Sequence, residues 1–344
     1  MKNTDKQTIT SVKEILTKET KNIVIVPHEN PDGDAIGSAI GLAEVLINFG
    51  HGVTIISPNN YPDFLKWFSS GASILIYRDN KKPSKKAIEN ADILICVDFN
   101  EPKRAEKLEK QIVEFGKKKI LIDHHPNPSF FCDYTISETH YSSTAELVFD
   151  VVNAIGMKKY ITVSAAQALY TGILTDTGSF SHNTSNPNTF KVVSELMKYK
   201  IDTEKIQSNV FHNFSADRMK LLGYCLNKKM EVFPELRTAF ISITKEELEE
   251  FNFKPGDTEG FVNYPLSINN IVFSALFIEK EGYVKASFRS KGSFPSNVFS
   301  SNHFNGGGHL NAAGGESFQN LDETIEKFTQ LLPEYEHQLL ETII

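Results

Sequence analysis

The sequence predicts an α/β protein with two domains, in which a doubly wound parallel sheet precedes a smaller α/β domain. Strand-like apolar runs alternate with amphipathic helical segments over residues 1–187, the pattern of repeated strand–helix–strand units. These runs are apolar throughout, as expected for parallel strands covered on both faces. After residue 236 the strand-like segments alternate apolar with polar residues, which marks a second domain. The length of 344 residues suits about two domains of ~150 residues each.

The first domain opens with an amphipathic helix over residues 6–20, where Ile9, Val12 and Leu16 recur at helical spacing. Its predicted strands lie at residues 23–28, 53–56, 91–98 and 120–122, and its later helices at residues 39–49, 103–116, 142–154 and 163–174. A helical connector over residues 188–235 contains helices at 188–199 and 215–228. The second domain, residues 236–344, contains strands at 239–243, 271–277 and 284–289, a glycine-rich run at 306–315 and a helix at 321–332.

Composition and charge exclude several classes of protein. The formal charge of −7 disfavours a protein that grips long duplexes by their phosphates, and we expect the basic clusters at residues 81–86 and 117–119 to be surface loops or helix ends. We expect no membrane association, because no apolar run reaches ~18 residues and the polar first residues do not resemble a signal peptide. Cys96, Cys132 and Cys225 are widely spaced, so a reduced, cytoplasmic location is expected.

Acids and imidazoles follow the predicted strands, at the edge where open α/β sheets bind ligands. These residues are Asp123, His124 and His125 after the apolar run 120–122, together with His28, Asp32, Asp34, Asp98 and Asp176. Taken singly, Asp32 and Asp34 are compatible with helix caps, Asp98 with a strand end and Asp176 with a turn. Their recurrence after four segments favours a metal centre, because carboxylate and imidazole ligands suit Mn²⁺ or Mg²⁺. Two such ions ~3.5–4 Å apart can share a carboxylate and act on a phosphoryl group.

The same residues resemble a known family. His28-x-x-x-Asp32-x-Asp34, Asp98, Asp123-His124-His125-Pro126 and Asp176-Thr177-Gly178 are similar, in their order, to the four motifs of the DHH phosphoesterase superfamily. The run Gly306-Gly307-Gly308-His309 resembles the hallmark of its DHH-associated C-terminal domain. The resemblance implies a Rossmann-like catalytic domain over residues 1–187, a substrate-binding domain over 236–344 and an active-site cleft between them. Size and layout are most similar to the stand-alone bacterial branch of nano-RNases and pAp phosphatases.

The resemblance also implies a role for each residue of the motifs. One divalent cation would be held by His28, Asp32 and Asp98, and the other by Asp34, Asp98, His124 and Asp176, so that Asp98 bridges the two. Mn²⁺ is the expected cation, with Mg²⁺ as the alternative. Asp123 would orient an imidazole, and His125 would face the substrate phosphate and stabilise transition-state charge.

Residues expected to bind the substrate lie mainly in the second domain. They are Arg289, His309, Gly306, Gly307 and Gly308, with Ser143 and Thr144 from the first domain. A glycine-rich loop can bring backbone amides close to a phosphate or a base, and an arginine suits bidentate contact with a phosphate; a flexible turn and a surface charge are the alternatives. The resemblance implies that His309 binds the substrate. The serine and threonine stand at a helix start, where they could hold a phosphate or simply cap the helix.

The expected activity is metal-dependent hydrolysis of short single-stranded oligoribonucleotides such as pApA to 5′-mononucleotides, and of pAp to AMP, by in-line attack of a hydroxide on phosphorus. His125 or water would protonate the leaving oxygen. The nearest alternative is a cyclic di-AMP phosphodiesterase, which no residue separates from an enzyme for linear dinucleotides. The oligomeric state stays open, with a homodimer as one option.

Three further classes are disfavoured. An inorganic pyrophosphatase is disfavoured because a basic Ser-Arg-Lys-Lys type motif is absent, and an exopolyphosphatase is placed with it as a less favoured alternative. A RecJ-type exonuclease carries a further nucleic-acid-binding domain, for which this chain is too short and too acidic. A non-catalytic nucleotide-binding protein is disfavoured because every ligand position of the motifs holds a residue that can bind a metal.

Overall fold

A computed structural model describes residues 1–68 and 70–343 of the chain. Its contacts divide the chain into two compact units, Met1–Asn213 and the residues from Phe214 onward. Each unit has a hydrophobic core of its own. Among the described residues, no helix combines the length and the apolarity needed to cross a membrane.

The first unit is built on a parallel sheet. Its strands, within the described ranges, are β1 (Asn22–Val26), β2 (Gly52–Ser57), β3 (Ser73–Ile76), β4 (Ile93–Val97), β5 (Lys118–Asp123) and β6 (Tyr134–Ser137). Their order in the sheet is β3-β2-β1-β4-β5-β6, and all neighbouring strands run parallel. The predicted α/β class with a parallel sheet is confirmed.

Both faces of this sheet are covered by apolar side chains. In β1, Ile23 and Ile25 belong to one buried cluster and Val24 and Val26 to another, because successive side chains of a strand point to opposite faces. The helices of the unit are α1 (Lys6–Thr17), α2 (Gly33–Phe49), α3 (Lys81–Asn90), α4 (Glu109–Glu114), α5 (Thr144–Ala154), α6 (Val163–Asp176), α7 (Pro187–Met197) and α8 (Thr203–Phe211). Coverage on both faces explains why the strand sequences are apolar throughout.

Helix α2 begins at Gly33, earlier than the predicted start at residue 39. Asp32 is its N-cap, and the side chain accepts hydrogen bonds from the amides of Asp34 and Ala35, each at 3.0 Å. The predicted boundary was wrong because proline, glycine and aspartate in this segment are typical of a loop. The cap of Asp32 and the burial of the first turn hold these residues helical instead.

Glycines let α2 approach α6 closely. A Cβ at Gly37 would lie 2.5 Å from the carbonyl oxygen of Ala168, and a Cβ at Gly172 would lie 2.9 Å from Asp34 Oδ1. Neither position has room for a side chain, so the backbones of the two helices are in contact. Because Asp34 lies on α2 and Asp176 ends α6, this packing sets the separation of the two acids.

Two strands and two helices of the first unit were not predicted. Strands β3 and β6 span four residues each and lie at the two edges of the sheet. Their side chains are largely half-buried or exposed, so their sequences lack the continuous apolar pattern of the central strands. Helices α3 and α8 were not predicted. Helix α7 was assigned to a connector, but α7 and α8 both fall within the first unit.

The second unit contains a mixed sheet. Within the described residues its strands are β7 (Met230–Phe233), β8 (Thr238–Ile243), β9 (Phe273–Lys280), β10 (Tyr283–Ser290), β11 (Gly307–His309) and β12 (Ala312–Ser317). Their order is β11-β12-β10-β9-β8-β7, with β8 and β9 parallel and the other neighbours antiparallel. The helices are α9 (Ala216–Tyr224), α10 (Lys245–Glu250), α11 (Ser296–His303), α12 (Leu321–Leu331) and α13 (Glu336–Glu341). Phenylalanines dominate the core, including the fully buried Phe240, Phe273, Phe277, Phe288 and Phe328.

The glycine-rich run is in part a strand and not the loop that the sequence predicts. Gly307–His309 forms β11, an edge strand that pairs antiparallel with β12. Gly308 has a φ of 145°, and a Cβ there would collide with the carbonyl oxygen of Ala312. Glycine is therefore required at this position by the backbone conformation and by the close neighbouring strand.

Candidate metal centre

The order of the strands brings the candidate residues together. Strand β4 lies between β1 and β5, so the carboxyl ends of these parallel strands meet at one edge of the sheet. His28 follows β1, Asp98 follows β4, and Asp123 is the last residue of β5. Asp98 adopts a left-handed φ of 66°, which aspartate tolerates better than most residues. The chain thereby leaves the strand with the carboxylate held at the edge.

One group of possible metal ligands consists of His28, Asp32 and Asp98, whose ligand atoms lie within 4.8 Å of one another. His28 Nδ1 forms a hydrogen bond with the carbonyl oxygen of Glu29 at 2.7 Å. This bond directs Nε2 toward Asp98 Oδ2, which is 3.6 Å away. Such a distance is too long for a good hydrogen bond, and it leaves space for a cation between the two atoms.

A second group consists of Asp34, His124 and Asp176, again with ligand atoms within 4.8 Å of one another. His124 Nε2 lies 3.9 Å from Asp34 Oδ2 and 3.6 Å from Asp176 Oδ2. His124 Nδ1 donates to the carbonyl oxygen of Tyr141 at 3.3 Å. That bond selects the tautomer in which Nε2 presents its lone pair to the carboxylates.

Asp98 faces both groups. Its Oδ2 points to His28, while its Oδ1 lies 3.7 Å from His124 Nε2 and accepts a hydrogen bond from Thr144 Oγ1 at 2.8 Å. The residue is only 2% exposed, so the carboxylate is held in one orientation. This is the placement expected of a ligand shared by two cations.

Burial and mutual repulsion shift the pKa values of the central carboxyls. Burial, followed by the charges of Asp98 and Asp32, raises the pKa of Asp34 well above its usual range. Burial, followed by the charges of Asp32 and Asp176, does the same to the pKa of Asp98. Burial also raises the pKa of Asp32, but the neighbouring His28 and backbone amides more than offset this and leave it below the usual value. Buried carboxyls this close together require protons or cations among them, so the donor set fits divalent cations.

Asp123 and His125 form a pair beside the two groups. His125 Nδ1 donates to Asp123 Oδ1 at 2.8 Å, whereas Asp123 Oδ2 has no hydrogen-bond partner within the part of the chain that the structure describes. Burial raises the pKa of Asp123 to about 6. Burial, with the nearby charge of Arg104, lowers the pKa of His125 to about 3; burial, with the charge of His125, lowers the pKa of His124 to about 4. Both imidazoles are therefore neutral near neutral pH, the form that can bind a metal or accept a proton.

Ser143 and Thr144 are fully buried. Ser143 Oγ accepts a hydrogen bond from the amide of Glu146 at 3.0 Å and caps α5. Thr144 donates its Oγ1 to Asp98 and its amide to Asp34 Oδ2, the latter at 2.6 Å. The structure therefore favours the cap alternative for Ser143, and it places Thr144 against the carboxylates of the centre rather than against solvent.

In the second unit, Arg289 and His309 lie on one face of the sheet. Arg289 of β10 pairs with Ala312 of β12, and Ala312 pairs with His309 of β11. The two residues are thus two strands apart, ~10 Å. Phe288 and Ala313, one position along, are buried in the core, so the arginine and histidine point to the opposite face. The three glycines that precede the histidine on this edge are Gly306, Gly307 and Gly308.

Two residues of the centre were not predicted from the sequence. Tyr141 contributes only its carbonyl oxygen to His124, and no side-chain pattern can reveal such a role. Arg104 is exposed, and its charge helps to lower the pKa of His28 and of His125. A basic residue shortly after the strand-ending Asp98 was the signal that could have identified it.

A parallel sheet with buried carboxylates and imidazoles at its carboxyl edge defines an α/β protein built to hold divalent cations. The family model of the DHH family, N-terminal domain, matches residues 22–173, and that of the DHHA1 domain matches residues 238–335. The chain belongs to the DHH family. The resemblance seen in the sequence motifs is confirmed.

Known proteins are similar to the chain over nearly its whole length. The crystal structure of an exopolyphosphatase-related protein from Bacteroides fragilis is 40% identical, with a TM-score of 0.93 over 99% of this chain and 100% of that chain. The probable bifunctional oligoribonuclease and PAP phosphatase NrnA of Streptococcus mutans is 29% identical over 94% of this chain and 98% of its own length. The cyclic-di-AMP phosphodiesterase GdpP of Bacillus subtilis is 29% identical over 94% of this chain but only 49% of its own length.

Proposed function

We propose that this protein is a metal-dependent phosphoesterase that hydrolyses short single-stranded oligoribonucleotides, such as pApA, to 5′-mononucleotides and converts pAp to AMP. The observation that carries the proposal is the position of Asp98, whose two carboxylate oxygens face two separate groups of ligands. Two cations that share a carboxylate suit displacement at phosphorus. The name of the NrnA relative supports this class of substrate.

The expected cations are Mn²⁺ or, as the alternative, Mg²⁺. We assign one cation to His28, Asp32 and Asp98, and the other to Asp34, Asp98, His124 and Asp176. When bound, the two cations would supply Lewis acidity and lower the pKa of water at the centre. The chain itself positions the residues that would bind the cations. The packing of α2 on α6 sets the separation of Asp34 and Asp176, and the hydrogen bond from Thr144 Oγ1 holds the shared Asp98.

His125, or water as the alternative, would protonate the leaving oxygen. Asp123 accepts a hydrogen bond from His125 Nδ1, so Nε2 points away from this buried acid. The Asp123 side chain is 0% exposed, whereas the His125 side chain is 16% exposed. The low pKa keeps the imidazole neutral before the substrate arrives. An anionic phosphate raises that pKa, because a nearby opposite charge favours the imidazolium. Nε2 would then take up a proton from water, and this proton would stabilise the phosphoryl oxygens and pass to the leaving 3′-oxygen.

The face of the second sheet that carries Arg289 and His309 is the proposed contact for the rest of the substrate. An arginine can bind a phosphate through two parallel hydrogen bonds. Between the two residues the strand β12 presents the small side chain of Ala312 at this position. Gly306, Gly307 and Gly308 would supply backbone amides at its edge.

A cyclic di-AMP phosphodiesterase is the second candidate. The similarity to the Bacillus subtilis phosphodiesterase over 94% of this chain favours it. The same residues would have the same roles on a cyclic substrate, because only the phosphodiester presented to the centre changes.

The two candidates are separated by a Mn²⁺-dependent turnover assay on the purified full chain, run in parallel with pApA, pAp, cyclic di-AMP and pyrophosphate. We expect AMP from pApA and from pAp, with slower turnover of the cyclic substrate. A preference for cyclic di-AMP would favour the second candidate. Absence of turnover on all four substrates by a chain that binds Mn²⁺ would refute both and favour a non-catalytic nucleotide-binding protein.

A further inference from the structure

Glu138 is a buried carboxylate that lies outside the two ligand groups and is bound to residues 2–4. It is 0% exposed. Its Oε1 accepts hydrogen bonds from the amides of Asn3 and Thr4, both at 2.9 Å, and its Oε2 accepts from the amides of Lys2 at 3.0 Å and Asn3 at 3.1 Å. The Asn3 amide is thus shared by both oxygens. A carboxylate so far from water is stable in its charged form only with such a set of donors.

The backbone of Glu138 forms hydrogen bonds with two residues that position His124. Its amide donates to the carbonyl oxygen of Asp123 at 3.0 Å, the residue just before His124, and its carbonyl oxygen accepts from the amide of Tyr141 at 3.2 Å. Tyr141 in turn supplies the carbonyl oxygen that accepts from His124 Nδ1 at 3.3 Å. The turn at residues 138–141 therefore holds both the backbone that precedes the imidazole and the acceptor that orients it.

The other end of this turn is held by α5 and by Met1, whose amine nitrogen donates to the Tyr141 hydroxyl at 3.0 Å. The hydroxyl of Tyr141 donates to Asp150 Oδ2 at 2.8 Å, and Asp150 lies on α5 and also accepts from Asn188 at 2.9 Å. Residues 2–4 thus hold the first residue of the turn, while α5 and Met1 hold its last residue. Releasing Glu138 removes one anchor and leaves the other in place, so we expect the turn to shift without unfolding.

We propose that Glu138 is a positioning residue for His124 and that the backbone amides of residues 2–4 hold it in place. Capture of the carboxylate fixes the turn, and the turn fixes the imidazole whose Nε2 faces Asp34 and Asp176. Outer partners that orient a ligating histidine typically change metal affinity by ~10–100-fold. The inference rests on the metal centre of the proposed function, but not on which phosphoester is cleaved.

A purely structural role of residues 2–4 is the competing explanation, since α1 follows them and packs near β6. The two explanations differ in what they change. A structural role lowers the thermal stability of the metal-free protein and leaves the Mn²⁺ affinity of the folded protein as it was. A positioning role weakens Mn²⁺ binding at the His124 group in protein that is fully folded.

The test compares Asn3→Pro with Asn3→Ala in the full chain. Proline removes the amide hydrogen that both Glu138 oxygens share, whereas alanine keeps it at the same exposed position. Free Mn²⁺ is counted by its electron paramagnetic resonance signal during a titration. We expect one Mn²⁺ to bind ~10-fold more weakly to Asn3→Pro and the Asn3→Ala titration to match the wild type. Equal affinities in all three proteins would overturn the proposal, as would a wild-type chain that binds no Mn²⁺.

Glu138→Gln provides a second variant that does not depend on a proline. Glutamine has nearly the same size but lacks the charge, so we expect the same weakening of one Mn²⁺ site. A lower Tm of the metal-free variants with unchanged Mn²⁺ affinity would show a structural role alone and overturn the proposal. Weakened Mn²⁺ binding in variants of a chain that cleaves neither pApA nor pAp would support the positioning role and refute only the proposed substrates.

Discussion

Replacing Asp98 by asparagine should abolish turnover and at the same time stabilise the metal-free protein. Asparagine keeps the size of the side chain and an oxygen that can accept from Thr144 Oγ1, but it removes the charge that both ligand groups share. Loss of a shared anionic ligand should lower turnover by at least ~10³-fold, or ~4 kcal/mol of transition-state stabilisation.

The expected gain in stability follows from charge repulsion in the metal-free centre. Asp34 Oδ2 and Asp98 Oδ1 lie 3.9 Å and 3.7 Å from the same atom, His124 Nε2. The two oxygens are therefore less than ~8 Å apart, a distance at which two unit charges repel by ~2 kcal/mol at an effective dielectric constant of ~20. For a unit of ~200 residues, relief of this repulsion corresponds to a rise in Tm of ~4–8 °C.

The gain in Tm of the metal-free Asp98→Asn protein should depend on pH. Burial and the neighbouring acids raise the pKa of Asp98 in the folded state above its unfolded value. A group of this kind favours the folded state at low pH, where it is protonated, and this contribution is lost as the pH rises through the folded pKa. The Tm difference between Asp98→Asn and the wild type should therefore be small near pH ~4 and grow as the pH is raised.

Thermal unfolding in EDTA at several pH values, together with Mn²⁺-dependent turnover of pApA, measures both effects. Asp92→Asn, at the other end of β4, is the control. The hydrogen bond from the Asn22 amide, at 2.9 Å, and the charge of Lys117 hold the pKa of Asp92 below its usual value, so this variant should lose a little stability and keep its turnover. An Asp98→Asn protein with wild-type turnover, or with no gain in Tm at high pH, would refute the assignment of Asp98 as a buried, shared ligand.

Three further predictions concern the metal and the substrate. Mn²⁺ affinity should rise with pH and binding should release protons, because Asp34 and Asp98 have raised pKa values and must be deprotonated to bind; calorimetry in buffers of different ionisation enthalpy counts these protons, and a pH-independent affinity would contradict the prediction. Thr144→Val, which loses the hydrogen bond to Asp98, should raise the Mn²⁺ concentration for half-maximal turnover by ~10-fold, with Thr144→Ser close to the wild type as the control. Arg289→Ala and His309→Ala should each raise KM for pApA by ~10–100-fold with little change in kcat; steady-state kinetics check this, and a loss confined to kcat would place the residue in the chemistry.

The sequence predicted the structure best where a short stretch of residues showed a clear pattern of its own. The central strands β1, β4 and β5 are buried on both faces, so their continuous apolar runs were recognisable, and the acids and imidazoles stand directly after them. The edge strands β3 and β6 are short and partly exposed, and their pattern is correspondingly weak. The predicted start of α2 was wrong because the first turn of this helix depends on the Asp32 cap and on packing.

Contacts between distant residues could not be predicted in this way. Thr144 donates to Asp98 across 46 positions of the chain, and Glu138 meets the amides of residues 2–4 across more than 130 positions. Tyr141 acts on His124 through its carbonyl oxygen, which every residue type possesses. Such contributions depend on the folded backbone and leave no mark in the residue types themselves.

The close contact of α2 with α6 has a consequence for variation at its glycines. In a saturation library of this chain, positions 37 and 172 should accept glycine almost alone. A Cβ at position 37 meets the backbone of α6, and a Cβ at position 172 meets the Ala145 side chain and the Asp34 carboxylate. A screen for activity would rank Gly37 and Gly172 with the proposed ligands Asp34 and Asp176, because spreading the helices displaces both acids. A screen for protein abundance would separate them: the glycine variants would be depleted, whereas neutral replacements of the two acids would persist. The comparison of the two screens thus distinguishes the residues that build the scaffold from those that carry the chemistry.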